Sequence, residues 1–346
     1  MKRSMITVLG VAATLFAVPG TAQAAVTDFH AVSLPFFWPT AVLDEVTPDG
    51  AGGVWAGGSQ GAYCIPRLDY CEAYNGNPVL RRYTGSSWKE YPLKGWTGDG
   101  GVGTISSYGT ETWASARRTW GDTPGYLARF DGSAFQRVAG VHAEGDRVST
   151  GPAGTWLYNG PGSVYRRDGS AWTPFSIPGE LRSINDVQAR TATDAWLVGD
   201  RYTDLGNHSL PGLAHWDGTS WTSVTPPELP AGVNDWITRV VPVAANEVWV
   251  IMNGYLAHLS GGEWTVVPAP TGTEMLYDLA VDASGTPWVA AGTGSSPNLY
   301  RYSGGAWELA AVPSGTRVKG VTVLPGTSTV WGVGSSDSNA AAITNS

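Results

Sequence analysis

The stretch LAHWDGTSW, residues 213–221, decides the fold because it recurs along the chain. Its counterparts are LRRYTGSSW (80–88), LARFDGSAF (127–135), VYRRDGSAW (164–172), LAHLSGGEW (256–264) and LYRYSGGAW (299–307). Each copy predicts a β-hairpin. Its first strand has alternating polar and apolar residues, a tight turn with a glycine at positive φ follows, and the second strand begins with an aromatic residue. Six copies at intervals of 37 to 49 residues indicate a repeat architecture.

A second marker, a tryptophan, lies upstream of each hairpin, in contexts such as GGVWAGG and DAWLVGD. It occurs seven times, at Trp55, Trp113, Trp156, Trp196, Trp249, Trp288 and Trp331. About ten residues before most of these tryptophans comes a further short apolar strand, as in LDEV (43–46), INDV (184–187) and LYDL (276–279). Each unit therefore contains four predicted strands, the composition of a propeller blade.

Seven marker tryptophans require seven hairpins, but only six are found. The two ends of the chain explain the difference. The segment FHAVSLP (29–35) overlays WTSVTPP (221–227), with Phe29 in the tryptophan position, so this N-terminal strand is expected to complete the last blade. A β-helix or a stack of sandwiches is the alternative, but seven units and a displaced terminal strand favour a ring. We therefore predict an all-β fold: a seven-bladed β-propeller of four-stranded antiparallel blades, formed by residues 25–346 as a single domain.

The first 24 residues predict export. Lys2 and Arg3 precede an apolar run that ends in the small-residue triplet Ala22-Gln23-Ala24, which is typical of a signal peptide, residues 1–24. No later stretch is apolar enough to span a membrane. The remaining chain has 19 basic and 29 acidic residues, a net charge of −10. This charge balance argues against nucleic-acid binding, which depends on clustered Lys and Arg. Because of the predicted signal peptide, the expected location is extracellular.

Cys64 and Cys71 are the two cysteines of the sequence. In an exported protein, this even count and short spacing predict a disulfide, which would contribute roughly 2 to 3 kcal/mol to stability. A two-cysteine metal site is the alternative, but no histidine lies close in sequence to complete it.

AVDASGTPWVAAG (280–292), followed by LYRYSGGAWELAAVP (299–313), resembles the regulator-type propeller repeat. The whole chain is similar to secreted propeller proteins of high-GC bacteria. DGSAW and DGTSW also resemble in part the Asp-box of sialidases, although Phe130, Arg167 and Trp216 stand where that motif has serine. The resemblance implies a fold and leaves the function open, since propellers include binding proteins, lyases and hydrolases.

The resemblance also implies that the first strand of each blade lines a central channel. Counting ten residues back from the marker tryptophans places five charged side chains at the channel mouth: Glu45, Asp146, Asp186, Arg239 and Asp278. Such a ring could bind a cation or sugar hydroxyls, or supply a general acid and base. In the alternative, these residues hydrogen-bond to backbone and water. The candidate catalytic residues are Asp146 and Asp186, with His142, which precedes the third inner strand.

Loop length indicates a second candidate surface. The spacing from marker tryptophan to hairpin aromatic is longest in blades one, two and four, so recognition is expected in those insertions and the neighbouring connections. The candidate ligand-binding residues are Tyr63, Arg67, Tyr70, Trp96, Arg118, Trp120, Arg201, Tyr202, His208 and Trp236. Aromatic and polar groups of this kind suit carbohydrate or peptide recognition. The alternative is that they cover the backbone of their own loops.

No metal or other cofactor is expected. His215 and His258 occupy the same repeat position in neighbouring blades, too far apart to share a zinc ion, whose ligand bonds are about 2 Å long. The sequence contains no nucleophile elbow, phosphate-binding loop or zinc-protease motif.

Three hypotheses follow. The first is a secreted, monomeric binding protein for a glycan or an extracellular or cell-envelope protein, which uses loops of blades one, two and four. The second is a lyase or glycoside hydrolase that uses channel carboxylates. The third is an interaction scaffold. Carboxylates with strongly shifted pKa values, clustered in the channel, would favour an enzyme, whereas an aromatic rim would favour a binding protein.

Overall fold

Seven antiparallel sheets follow one another along the chain in the computed structural model, which confirms the predicted all-β propeller. The structure describes residues 28–118, 125–138, 147–158, 162–179, 181–202, 209–231, 233, 235–294 and 296–346, without the side chains of residues 202 and 209. Within these ranges no helix is long and apolar enough to cross a membrane.

Each blade consists of four strands in chain order. Blade one contains β2 (Val42–Pro48), β3 (Val54–Gln60), β6 (Asn77–Tyr83) and β7 (Trp88–Glu90), with an inserted hairpin of β4 (Tyr63–Pro66) and β5 (Cys71–Tyr74). Blade two contains β9 (Gly101–Tyr108), β10 (Glu111–Arg117), β11 (Tyr126–Phe130) and β12 (Phe135–Arg137), beside which β8 (Leu93–Lys94) adds in parallel. Blade three contains β13 (Arg147–Gly151), β14 (Gly154–Tyr158), β15 (Val164–Asp168) and β16 (Ala171–Phe175).

The remaining blades repeat this order. Blade four contains β17 (Leu181–Thr191), β18 (Asp194–Tyr202), β19 (Ser209–Trp216) and β20 (Trp221–Ser223), and blade five contains β21 (Arg239–Ala244), β22 (Glu247–Ile251), β23 (Tyr255–Ser260) and β24 (Glu263–Pro268). Blade six contains β25 (Met275–Val281), β26 (Pro287–Gly292), β27 (Asn298–Ser303) and β28 (Ala306–Leu309). Blade seven contains β29 (Thr316–Val323), β30 (Val330–Ser336) and β31 (Asn339–Thr344), and its fourth strand is β1 (His30–Ala31).

The N-terminal strand closes the ring as predicted. His30 lies opposite Thr344 and Ala31 opposite Ile343 in an antiparallel pair. Phe29 is buried and packs edge-on against Trp288 of blade six, with ring centroids 5.6 Å apart. The edge of β31 is thereby paired instead of being exposed to other chains.

Contacts between blades explain the recurrent aromatic residues. In blades one to four and seven, the aromatic of the fourth strand packs edge-on against the marker tryptophan of the preceding blade, as Trp221 does on Trp156 at 5.2 Å and Trp172 on Trp113 at 5.7 Å. Phe135 contacts Trp55 and Trp88 contacts Trp331 in the same way. The recurrent aromatic residues thus pack neighbouring blades together.

A one-residue bulge interrupts the first strand of blades one, two, four, six and seven. In blades one, four and seven a glycine of the second strand faces the bulge: Gly58, Gly199 and Gly334. A Cβ on any of them would overlap a carbonyl oxygen of the bulged strand. Only glycine permits this approach of two backbones.

The ring has two faces. The loops between second and third strands and the connections between blades lie on one of them, the rim face. The turns that join first to second and third to fourth strands lie on the other, the turn face.

Candidate functional site

A central cavity of about 320 Å³ is lined by the first strands. Four of the charged residues that were predicted for the channel line it, namely Glu45, Asp186, Arg239 and Asp278. Asp146 and His142 lie outside the described residues. Blade two contributes Thr104 where the sequence count reached Gly103, because the turn between its first two strands is one residue shorter: Trp113 lies opposite Ser106, whereas Trp55 lies opposite Thr47.

The channel side chains of three blades bind the backbone of the next blade. The Val240 N–H donates to Asp186 Oδ2 at 3.1 Å, and the Val321 N–H donates to Asp278 Oδ2 at 2.8 Å. The Val148 N–H donates in the same way to Thr104 Oγ1 at 3.2 Å. These bonds satisfy backbone donors that the open side of each inner strand would otherwise leave unpaired.

Arg239 is the electrostatic centre of the channel. Its Nη2 lies 3.3 Å from Glu45 Oε1 and its Nε lies 3.1 Å from Asp278 Oδ1. Burial raises the pKa of Glu45 to about 7, although Arg239 acts to lower it. Burial also raises the pKa values of Asp186 and Asp278, again opposed by Arg239. Burial acts to lower the pKa of Arg239, but Glu45 and Asp278 outweigh it and raise that pKa.

Asp186 has two further partners in the channel. Tyr158 Oη donates to Asp186 Oδ1 at 3.4 Å and Gln188 Nε2 donates to the same oxygen at 3.1 Å. Burial raises the pKa of Tyr158, and the Asp186 carboxylate raises it further. Both Asp186 oxygens therefore accept hydrogen bonds within the fold.

The inserted hairpin of blade one projects from the rim face. Cys64 and Cys71 form the predicted disulfide across β4 and β5, with Cα atoms 5.6 Å apart. Tyr63 stacks on Tyr74 at 4.8 Å, yet 55% of Tyr63 and 62% of Tyr70 remain exposed. Arg67 forms an ion pair with Glu72 on the same hairpin.

Beside this hairpin lies an aromatic segment that the sequence reasoning missed. In SLPFFWPT (33–40), Phe37 is buried, whereas Phe36 and Trp38 are 72% and 63% exposed. Their rings contact edge-on at 5.5 Å. The sequence signal was three adjacent aromatics between two prolines. In an extended segment alternate side chains face opposite ways, so these three aromatics could not all face the core.

Hydrogen bonds fix this segment to blade one. The Trp38 N–H donates to Gln60 Oε1 at 3.2 Å, and the Gly61 N–H donates to the Trp38 carbonyl at 3.3 Å. Arg81 is buried, donates to the carbonyls of residues 35 and 36 and lies 3.5 Å from the Phe37 ring centroid. Phe36 and Trp38 are thus exposed on a rigid support beside the root of the hairpin.

Trp96 and Arg118, which were predicted on blades one and two, lie together. The Arg118 guanidinium lies 5.9 Å from the Trp96 ring centroid and donates to Thr97 Oγ1 at 2.6 Å. The same connection carries Asp99, whose carboxylate accepts from Asn75 at the other end of the hairpin. Trp96 and Arg118 therefore border the blade-one insertion.

The predicted residues of blade four contribute less to this surface. Arg201 Nε donates to the Pro211 carbonyl at 2.9 Å, and Trp236 is 38% exposed on the connection to blade five. Trp120, His208 and the side chain of Tyr202 lie outside the described residues.

The repeat histidines belong to separate blades. His215 Nε2 lies 2.9 Å from Asp194 Oδ1, and His258 Nε2 lies 3.0 Å from Glu247 Oε1. His258 also stacks on Trp249 at 3.9 Å. In the described part of the chain, no group of three or more His, Cys, Asp or Glu side chains is placed to hold a metal ion.

Comparison with known proteins supports the fold. No family model and no curated protein sequence matches the chain. The WD40 β-propeller domain of Doa1 has 10% identity and a TM-score of 0.63, over 91% of this chain and 96% of that chain. YCF48 bound to a D1 peptide has 14% identity and a TM-score of 0.60, over 95% and 99%.

A catalytically inactive variant of virginiamycin B lyase from Staphylococcus aureus, solved with quinupristin, has 13% identity and a TM-score of 0.60, over 92% and 99%. At these identities the likeness shows only the propeller fold, which all three proteins share.

Proposed function

We propose that this protein is an exported binding protein that recognises a glycan through the aromatic rim of blade one, defined as Phe36, Trp38, Tyr63 and Tyr70. The observation that carries the proposal is the exposure of these four aromatic side chains, two on the blade-one hairpin and two on the segment that is hydrogen-bonded to its root. Aromatic surface is normally buried, so a cluster left in water indicates a binding surface.

The support around the rim is consistent with recognition. The disulfide, the Gln60 and Arg81 hydrogen bonds and the Asn75–Asp99 contact order the backbone before a ligand arrives. Pre-ordering lowers the entropy cost of binding. Arg118 and Asp69 supply polar groups near flat rings, a combination that suits sugar hydroxyls better than a long apolar peptide.

Export is part of this proposal. The N-terminal segment 1–24 has the features of a signal peptide, and a disulfide is favoured outside the cytosol. A protein ligand on the same rim is the competing possibility, and the experiment below separates the two.

An enzyme that uses the channel carboxylates is the second candidate, since burial raises the pKa values of Glu45, Asp186 and Asp278. Against it, Asp186 and Asp278 each bond the backbone of the next blade. Its remaining candidates, His142 and Asp146, lie outside the described residues.

The test is a binding screen of the mature protein against glycans and cell-wall polymers, run with the double variant Trp38→Ala/Tyr70→Ala. The matched control is Tyr108→Ala, which removes an exposed aromatic from the turn face. We expect the double variant to weaken binding at least about tenfold, or about 1.4 kcal/mol, and the control to leave it unchanged.

Equal affinities of the wild type and the double variant would contradict the rim proposal. Binding to an extracellular protein but to no glycan would replace the glycan by a protein ligand.

A further inference from the structure

Six blades carry a basic residue opposite the marker tryptophan on the third strand. The pairs are Trp55 with Arg82, Trp113 with Arg129, Trp156 with Arg166, Trp196 with His215, Trp249 with His258 and Trp288 with Arg301. Blade seven has Thr344 at this position. The position therefore allows a comparison of one local site across the ring.

In five of these blades a carboxylate of the same blade lies within ion-pair distance of the basic residue. Arg82 pairs with Asp49 at 2.8 Å and Arg129 with Glu111 at 2.5 Å. His215 pairs with Asp194, His258 with Glu247 and Arg301 with Glu308. A basic residue and its acid thus form a repeated unit on the marker tryptophan.

In blades two and four the same carboxylate also accepts the indole N–H. Trp113 Nε1 donates to Glu111 Oε2 at 2.8 Å, and Trp196 Nε1 donates to Asp194 Oδ1 at 3.2 Å. In both blades the acid stands two residues before the tryptophan, and it therefore binds the indole and the basic residue together.

Blade three keeps the tryptophan and the arginine but lacks the acid. Gly154 stands two residues before Trp156. Among the described residues, no carboxylate lies within ion-pair distance of Arg166, and the fully buried Trp156 indole N–H has no hydrogen-bond partner. An unpaired buried donor costs about 1 to 3 kcal/mol.

Three aromatic rings hold the Arg166 guanidinium. Its Cζ lies 5.6 Å from the Trp156 ring centroid, 5.1 Å from that of Phe175 and 5.3 Å from that of Trp216. Contact of a guanidinium with ring faces leaves its in-plane N–H donors available to a carboxylate, which they bind in a bidentate fork.

Gly154 presents no side chain at this position and has a φ of +103°, where L residues are rarely found. A Cβ on Gly154 would meet only the Cδ and Cγ atoms of Arg166, at 3.5 and 3.6 Å. Since ring contacts alone hold the guanidinium among the described residues, its stem can shift without the loss of a polar contact.

We propose that Arg166 and the Trp156 indole N–H form a carboxylate-binding site between blades three and four. A ligand supplies at this site the carboxylate that five other blades supply from their own chain. The site lies towards the turn face, since Gly154 follows the turn between β13 and β14. It is therefore separate from the aromatic rim and does not depend on the proposed glycan function.

The test is a titration of the ¹⁵N-labelled mature protein with sodium acetate, against sodium chloride of equal ionic strength, followed through the Trp156 indole signal. We expect a saturable shift with acetate alone. Arg166→Gln should abolish it, and Arg166→Lys should weaken it, because lysine keeps the charge but lacks the fork. The matched control Arg129→Gln removes the same residue from a blade that has its own acid, so the shift should persist.

The source of the carboxylate is tested with glucuronate and N-acetylglutamate. Saturation by glucuronate at a lower concentration than acetate indicates an acidic sugar, whereas the same result with N-acetylglutamate indicates an acidic side chain. No shift by about 100 mM acetate, which would fill nine-tenths of a site with a dissociation constant of about 10 mM, would overturn the proposal. An equal shift in a folded Arg166→Gln variant, checked by its melting curve, would also overturn it.

Discussion

Burial separates two roles among the tryptophans of this chain. Trp221 is buried between Trp156 and Trp216, whereas most of Trp38 is exposed. Trp221→Ala should lower the free energy of unfolding by about 3 to 5 kcal/mol through the cavity that it leaves. Trp38→Ala should change it by less than about 0.5 kcal/mol. Chemical denaturation measures both, and similar losses would show that these roles are misassigned.

Glu45 predicts a pH dependence. Its pKa of about 7 in the folded protein exceeds the ordinary value of 4.5, because burial disfavours the charged carboxylate. Between pH 4.5 and about pH 7 Glu45 binds more protons in the folded state than in the unfolded state. The protonated Glu45 carboxyl therefore stabilises the folded state, and this stabilisation is lost as the pH rises towards 7.

Glu45→Gln removes this titration. The melting temperature of the variant relative to the wild type should therefore rise from pH 5 to pH 8. A difference that stays constant over this range would mean that the channel does not disfavour the Glu45 charge.

At the scale of elements, the bulged first strands of blades one, four and seven depend on the glycines opposite them. A Cβ on Gly199 would overlap the Ser183 carbonyl oxygen, whereas one on Gly254 would meet nothing within 4 Å. Gly199→Ala should therefore lower the melting temperature by several degrees, as expected for a loss of about 1 to 3 kcal/mol through strain. Gly254→Ala is the control, and equal melting temperatures of the two variants would show that the bulge can relax.

The inner strands illustrate which features of the elements the sequence could and could not predict. Alternating patterns and Gly-containing turns predicted four strands per blade. The composition does not show that the turn between the first two strands is one residue shorter in blade two than in blade one, so counting ten residues back from Trp113 reached Gly103 instead of Thr104. The aromatic segment before β2 was missed because the blade repeat does not include it, and its exposure depends on Gln60 and Arg81, which are distant in sequence.

At the scale of the whole molecule, ring closure depends on the N-terminal strand. A chain that begins at Val32 lacks Phe29 and β1, which exposes the edge of β31 and uncovers Trp288. This chain should melt at a lower temperature and self-associate as its concentration rises. A chain that begins at Asp28 is the control, and light scattering with thermal melts compares them. Identical behaviour would mean that the closure contributes little.

The fold was predictable at this scale because six hairpins and seven marker tryptophans alternate along the chain at similar intervals. The site was predictable only in part. Insertion length indicated the hairpin of Tyr63 and Tyr70, and the disulfide followed from cysteine spacing. The partners of Asp186 and Asp278 in the next blade arise from the closed ring, and no local pattern reports them.

The most direct test of the central claim is the dissociation constant for the first glycan retained in the screen, measured by calorimetry. It compares the wild type, Trp38→Ala/Tyr70→Ala on the rim, and Asp186→Asn in the channel, which keeps an oxygen to accept from Val240. We predict that the rim variant binds at least about tenfold more weakly and that the channel variant binds like the wild type. Loss of binding in the channel variant with full binding in the rim variant would contradict the account and place recognition in the channel.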